Sequence, residues 1–507
     1  MTTLEQIASV RSFVLANVYR DSVELMRVAA ELEALAGIQR AALVMATAAN
    51  RDVLLAANLL QGDALDAGPN DLVIAVAGNE AAVEVAHAQA RALLAGRAMK
   101  HAATGAQKPA PRTLAEAVED LPTADLVMIS TPGTYATAEA IKALKRGLDV
   151  FLFTDNVSVD DEIELKALAR RKGRLLMGPD CGTAMLGGIP LGFANSVAQG
   201  SIGLIGASGT GLQQVMCLID RWGEGISQAI GVGGRDLDDR VGGTMMLAAL
   251  ERLATDPDTR VIVLISKPPA QAVAQRVLDA ARACGKPVVV NFLGLGLRTV
   301  PEGGGLVYAA TLEAAAYSAV ALARGQPIGQ PPALGGALIL AASAQSRLVS
   351  QDRRRIVGLF SGGTLCKEAS YVLHEALPGG DFDLIDLGDD EFTVGRPHPM
   401  IDARLRSERI LEVGADPRAG VLLLDVVLGY GSHPDPAGAL VAAIAAARKC
   451  ASDDGRYLAV VAAVCGTRTD PQGLAGQEAK LADVGVVLAP SNAQAARLAT
   501  LIVGAAR

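Results

Sequence analysis

Strongly apolar runs, several of them ending at glycine, alternate with alanine-rich stretches of helical period from one end of this chain to the other. Runs such as Leu72–Val76, Val261–Ser266 and Val421–Val427 lack the alternation of a half-exposed strand and read as strands buried on both faces. Stretches such as Ala81–Leu94 and Asp160–Lys172 have helical period and propensity, and strands joined through such crossovers pair in parallel. The chain is therefore predicted to be α/β, with parallel sheets covered by helices. Aromatic residues make up only 3% of it, so Ala, Val, Leu and Ile must supply the cores.

A chain of 507 residues is expected to form about three domains. A Rossmann-like domain is predicted over 1–198, with a mobile loop near 96–112 around Pro109 and Pro111. A flavodoxin-like domain follows over 199–326, a Gly/Pro-rich linker over 327–352, and a second flavodoxin-like domain over 353–507. The last two share a plan of strand, glycine loop and helix.

The formal charge of −8, with no basic stripe, argues against a nucleic-acid partner. The apolar runs fall short of the ~20 residues a membrane span needs. The opening MTTLEQIASVRSF lacks the charged-then-apolar order of a leader. The cysteines (Cys181, Cys217, Cys284, Cys366, Cys450 and Cys465) form no CxxC pair, and the histidines form no HExxH. A cytoplasmic, reducing setting is expected, with no disulfide, metal or organic cofactor.

Ligands of open α/β sheets bind past the carboxyl ends of the strands, where helix N-termini offer N–H donors to anions. In the loop Ile205–Gly211 the candidates are Ser208, Gly209, Thr210 and Gly211. It lacks the ending of a P-loop and the GxGxxG of a dinucleotide site. Ser361, Gly362, Gly363 and Thr364 form a second such loop. Gly429, Gly431 and Ser432 form a third, ahead of Asp435, which is placed to cap the next helix. For each, a plain glycine turn is the alternative.

Arg235, Lys267 and Asp180 are candidates for binding a substrate, against the alternative of solvated loop residues. The densest polar stretch is Gly388–Asp402, in which prolines on both sides restrict the backbone of His398. His398, Arg396 and Asp402 are its catalytic candidates. Cys181 has no histidine beside it and reads as a small buried residue.

The stretches DNVSVDDEIELKALARRKGRLLMGPDCGT, IGASGTG, EGISQAIGVGGRDL, SKPPA, SGGTL, IDLGDDEFTVGRPHPMID and LLLDVVLGYG resemble the FdrA family, from about residue 10 to the C-terminus. That family looks like a fusion of parts of succinyl-CoA synthetase. The α-subunit is similar to residues 10–325, and the C-terminal domain of the β-subunit to 353–507, while the ATP-grasp domain has no counterpart. In the synthetase two helix N-termini face each other across the reaction phosphate. By position the resemblance pairs Ser208–Thr210 with Gly429–Ser432.

Two departures stand out. LGLGLRTVPEGGGLVYAATLEAA holds no histidine where the synthetase has its phosphorylated one, and LANVYRDSVELM holds no glycine where the synthetase has its CoA loop. The resemblance then implies a carbamoyltransferase subunit of purine and allantoin catabolism. It would interconvert a ureido acid such as oxalurate plus phosphate with oxamate plus carbamoyl phosphate. It would use no cofactor, two further carbamoyltransferase subunits in a hetero-oligomer, and coupling to a carbamate kinase. In that scheme paired glycine loops hold the phosphate, Arg235 or Arg396 the carboxylate, and His398 moves a proton. An NDP-forming acyl-CoA synthetase/ligase-like protein and a non-catalytic subunit are the alternatives. His433 is assigned no role.

Overall fold

A computed structural model of the chain describes residues 9–20, 22–102, 111–294, 301–302, 305–350, 353–393 and 397–504. They divide into two compact units: residues up to Ala117 together with Asp390–Pro397, and Val118–Asp389 together with His398–Arg507.

The first unit departs from the predicted parallel domain. Its strands Ser9–Leu15 and Ile38–Met45 run parallel to each other, and Leu72–Gly78 lies between them, antiparallel to both. This is a split βαβ arrangement. Leu72–Gly78 is buried along its whole length, so its apolar pattern carries no signal of direction. The direction comes from the connection. Ala48–Ala56, the 3-10 turn Gly62–Asp66 and the segment between them cover one face with Leu54, Leu59, Leu60 and Ala64, and return the chain down the middle. Ser22–Glu33 and Glu80–Ala102 cover the other face. Glu80–Ala102 runs into the loop predicted at 96–112, of which residues 103–110 lie outside the described residues.

The second unit is parallel α/β, as predicted. It opens with a small parallel sheet of Leu126–Ile129, Asp149–Leu152 and Leu176–Met177. Its helix Val159–Lys172 shows why these segments are helical. Ser158 caps Asp161 N–H, acids fill the first turn and bases the last, and Gly173 closes it at φ 64°.

The chain then enters an eight-stranded sheet. Its parallel core runs Ile226–Gly231, Gln199–Ala207, Val261–Ser266, Val288–Phe292, Leu306–Tyr308, the 2-1-3-4-5 order of flavodoxin-like folds. The hairpin Thr183–Leu186 and Ile189–Gly192 extends one edge. A second, five-stranded parallel sheet repeats that order: Phe382–Asp386, Arg355–Phe360, Ala419–Val427, Ala459–Cys465, Val487–Ala489.

One hydrophobic cluster runs through both sheets, joining Leu212 and Val215 of the first lobe to Phe360 and Leu365 of the second. The stretch predicted as linker contains the helix Gly336–Leu348, which buries Ala342 and Ser346 and packs on Asn492–Gly504. No helix among the described residues is long and apolar enough to cross a membrane.

Candidate functional site

Both lobes start with a strand that leads through a glycine loop into a helix, and in the 2-1-3-4-5 order that loop sits where the strand order reverses. In the first lobe Ser208 is extended (φ −166°) and caps the helix Gly209–Arg221, its Oγ accepting Gly211 N–H at 2.9 Å. A Cβ on Gly211 would lie 2.5 Å from that oxygen, so a side chain there would displace the cap. In the second lobe Gly362 precedes the helix Gly363–Ala376, and no side chain caps it.

The two helix N-termini meet. Ser208 Oγ and Thr364 Oγ1 are 2.6 Å apart and buried, and a Cβ on Gly362 would stand 2.9 Å from Thr210 Cγ2. Two of the predicted anion loops are thereby brought together.

The third loop, Gly429–Ser432, makes no direct hydrogen bond to Ser208 or Thr210; Phe193 and Thr183 lie between it and Gly209. Tyr430 N–H donates to Ala194 O at 2.8 Å, Gly429 N–H to Gln472 Oε1 at 2.9 Å, and Gly431 closes on Phe193. The backbone of Ala194 fills the space at Gly429, which adopts φ 109°. This loop therefore joins the second lobe to the hairpin of the first. Asp435 is a cap, accepting Gly438 N–H and pairing with Lys480. His433 Nδ1 accepts Asp435 N–H at 2.9 Å.

Two carboxylates attend the second terminus. Asp425 accepts Ser361 N–H and Gly362 N–H at 2.9 Å each, and its opposite charge is Arg406, also buried. A side chain of the protein thus occupies the N–H cradle of Ser361 and Gly362. Asp386 Oδ1 accepts Gly388 N–H at 3.0 Å, and Oδ2 crowds the place where a Cβ of Gly363 would be. Lys267 Nζ comes within 3.3 Å of the same point and has no ion-pair partner among the described residues. Burial pushes Asp386 above the usual carboxylate range, against the pull of the Gly388 N–H and Lys267.

His398 lies beside this group. Its Nδ1 accepts Met400 N–H at 3.2 Å, which leaves the proton on Nε2. Nε2 and Asp386 Oδ1 lie 2.7 and 3.2 Å from the Cβ position of Gly388. Burial pushes the imidazole down to about 4, against the charge of Asp425. At neutral pH it is a neutral N–H donor.

The remaining candidates are dispersed. Arg396 lies outside the described residues. Asp402 is taken up by Arg404, whose Nε donates to it at 2.8 Å. Arg235 binds Glu162 at 2.9 Å and the Val157 carbonyl at 2.8 Å, at the edge of the buried Lys166–Glu162–Asp236 network. Asp180 is exposed at φ 54° near Gly234. Burial raises the Cys181 thiol to about 12, in keeping with a buried rather than a nucleophilic residue.

Asp386, Asp425 and Arg406 were absent from the sequence candidates. The signal for Asp425 was present in outline, because an acid inside the buried strand Ala419–Val427 demands a partner.

These lobes match two known families: residues 197–294 the CoA binding domain and residues 359–502 the CoA-ligase family. Fold and matches together define an acyl-CoA synthetase/ligase-like protein of the succinyl-CoA synthetase type. Residues 8–111 match the AllF heavy metal-associated domain. Protein YahF of Escherichia coli K12 is 41% identical over 97% of this chain and 98% of its own. The chain belongs to that family, the FdrA/AllF-like group of synthetase-like proteins.

Two ligase subunits are more distant. The ADP-forming sulfoacetate-CoA ligase subunit SauD of Bilophila wadsworthia is 29% identical over 38% of this chain and 67% of its own length. The alpha 1 subunit of ADP-forming succinate–CoA ligase of Archaeoglobus fulgidus is 28% identical over 38% and 65%.

These findings overturn the carbamoyltransferase expected from the sequence. The matched lobes are CoA-binding and CoA-ligase domains, and the two ligase subunits named above are CoA ligases. The first unit does not fit the metal of its family description. Residues 8–111 contain no cysteine, and His87 is stacked on Phe13 with ring centroids 3.6 Å apart. No group of three metal-ligating side chains occurs among the described residues.

Proposed function

We propose that this chain handles the acyl-phosphate step of an acyl-CoA ligase reaction, in which the CoA thiol attacks the acyl carbon and inorganic phosphate leaves. The facing helix N-termini carry this reading. A phosphoryl group beside the Ser208–Thr364 contact would take the Ser208, Thr210 and Thr364 hydroxyls and the first N–H groups of the Gly209–Arg221 helix as donors. Those donors are fixed in place and favour the charge that develops on the leaving phosphate. Lys267 would add a positive charge at the same place, and His398 a neutral N–H beside Asp386.

The sequence holds no histidine at the synthetase phosphohistidine position, which supports direct transfer from the acyl phosphate. The ligase relatives are named as subunits. We therefore assign the nucleotide-dependent formation of the acyl phosphate to a separate chain.

The test is to incubate the purified chain with an acyl phosphate and CoA, following loss of free thiol and release of phosphate. Ser208→Ala combined with Thr364→Val should cut the rate at least about tenfold, given the weight of fixed oxyanion donors. The CoA KM should change little. If the wild-type chain neither binds phosphate nor consumes thiol, the proposal is wrong.

A further inference from the structure

The hydrogen bond from Met400 N–H to Nδ1, at 3.2 Å, holds one edge of the His398 ring. A single bond at the long end of the normal range fixes that edge and leaves the tilt of the ring to packing. The packing comes from the first lobe. Phe193, which follows the hairpin strand Ile189–Gly192, has its ring centroid 5.7 Å from that of His398, with the planes at 37°. Phe153, which follows the strand Asp149–Leu152, lies 5.7 Å from Phe193 and continues the row.

Phe193 is itself firmly seated. Its N–H donates to Gly182 O at 2.7 Å, and its carbonyl accepts from Thr183 Oγ1 at 2.7 Å. Its ring fits between two glycines, one from each lobe. Cδ1 would stand 2.9 Å from a Cβ on Gly431, and Cδ2 3.7 Å from one on Gly182. Thr183 Oγ1 in turn lies 3.1 Å from the Cβ position of Gly209, where the capped helix begins. A short line of contacts therefore runs from that helix N-terminus through Thr183 and Phe193 to His398.

We propose that Phe193 is a positioning residue for His398: the first lobe lays this ring on the imidazole and so aims Nε2–H at the space beside Gly388 and Asp386. Tilted aromatic rings at this separation attract each other beyond the area they bury. The phenyl ring also keeps water from the imidazole, which disfavours its charged form. The charged groups near the imidazole are Asp425, which favours protonation, and Asp386 with Lys267 beside it; Phe193 and Phe153 bring none. The effect of Phe193 on rate rests on the acyl-phosphate reading, whereas its hold on the ring does not.

NMR of the full chain carrying labelled histidine and phenylalanine tests the hold, with His398→Gln assigning the imidazole signal. The wild type should show a nuclear Overhauser effect between the two rings, lost in Phe193→Leu, and a neutral imidazole protonated on Nε2. Phe193→Leu keeps an apolar side chain and removes the ring. It should move the His398 titration upward from about 4 toward the usual value of about 6.5, while Phe193→Tyr should leave it low. In the thiol-consuming assay Phe193→Leu should lower kcat about tenfold with the CoA KM unchanged, and Phe193→Tyr should keep most of the rate. Absence of the ring contact in the wild type, or an unshifted titration in Phe193→Leu, overturns the proposal. A chain that consumes no thiol overturns the acyl-phosphate reading instead, and the NMR outcomes still decide the role of Phe193.

Discussion

The two lobes share a strand order and a strand–loop–helix opening, yet they finish their helix N-termini in opposite ways. The first is neutral and closed by its own serine: Ser208 caps Gly211. The second has no side-chain cap, and carboxylates attend it instead, with Asp425 in the cradle of Ser361 and Gly362 and Asp386 beside Gly363. An arriving anion therefore meets donors without competing charge on one side and resident carboxylates on the other. Likeness of fold does not make two helix N-termini equivalent. What already occupies the N–H groups decides which one can receive a ligand.

The sharpest way to break that contrast is Asp425→Ala. It strips the second cradle of its occupant and leaves Arg406 buried without its counter-charge, so unfolding in denaturant should show a loss of about 3–5 kcal/mol. A loss below about 1 kcal/mol would mean that Asp425 does not hold that loop. Gly362→Ala comes next. Its methyl group would crowd Thr210, where 2.9 Å is available, and part the two termini. About 1–3 kcal/mol of stability should go, together with most of the thiol-consuming activity.

Ser208→Ala removes a cap and should cost about 1 kcal/mol. Combined with Thr364→Val in a double-mutant cycle, it should reveal a coupling of about 0.5–1.5 kcal/mol. Zero coupling would mean that the hydroxyl contact does not join the lobes. At neutral pH the smallest effect belongs to His398. Its value is depressed, so the folded chain resists protonation, and its contribution should be intact above about pH 6.5 and lost as pH falls toward about 4. Rates measured above about pH 6.5 should show no titration from it.

Much of this was legible in the sequence. Buried apolar runs and glycine loops predicted parallel α/β lobes, and Ser208–Gly211 and Ser361–Thr364 were both marked as anion loops. What could not be read was which loop faces which. That depends on the packing of one lobe on the other, and Gly429–Gly431 carries as much glycine as Gly362–Gly363. Strand direction in the first unit was hidden because Leu72–Gly78 is buried on both faces. Arg235 looked like a ligand residue because its partner Glu162 lies far away in sequence, on the helix Val159–Lys172.

The meeting of Ser208 with Thr364 has one more consequence. The two hydroxyls stand 156 residues apart on a single polypeptide. For lobes on separate chains, this contact and the hydrophobic cluster around it would hold only while the chains stayed associated. Here the connecting segment keeps each lobe at an effective concentration of order millimolar about the other. The paired termini should therefore stay assembled however dilute the protein becomes, and activity per molecule that depends on them should not change with its concentration.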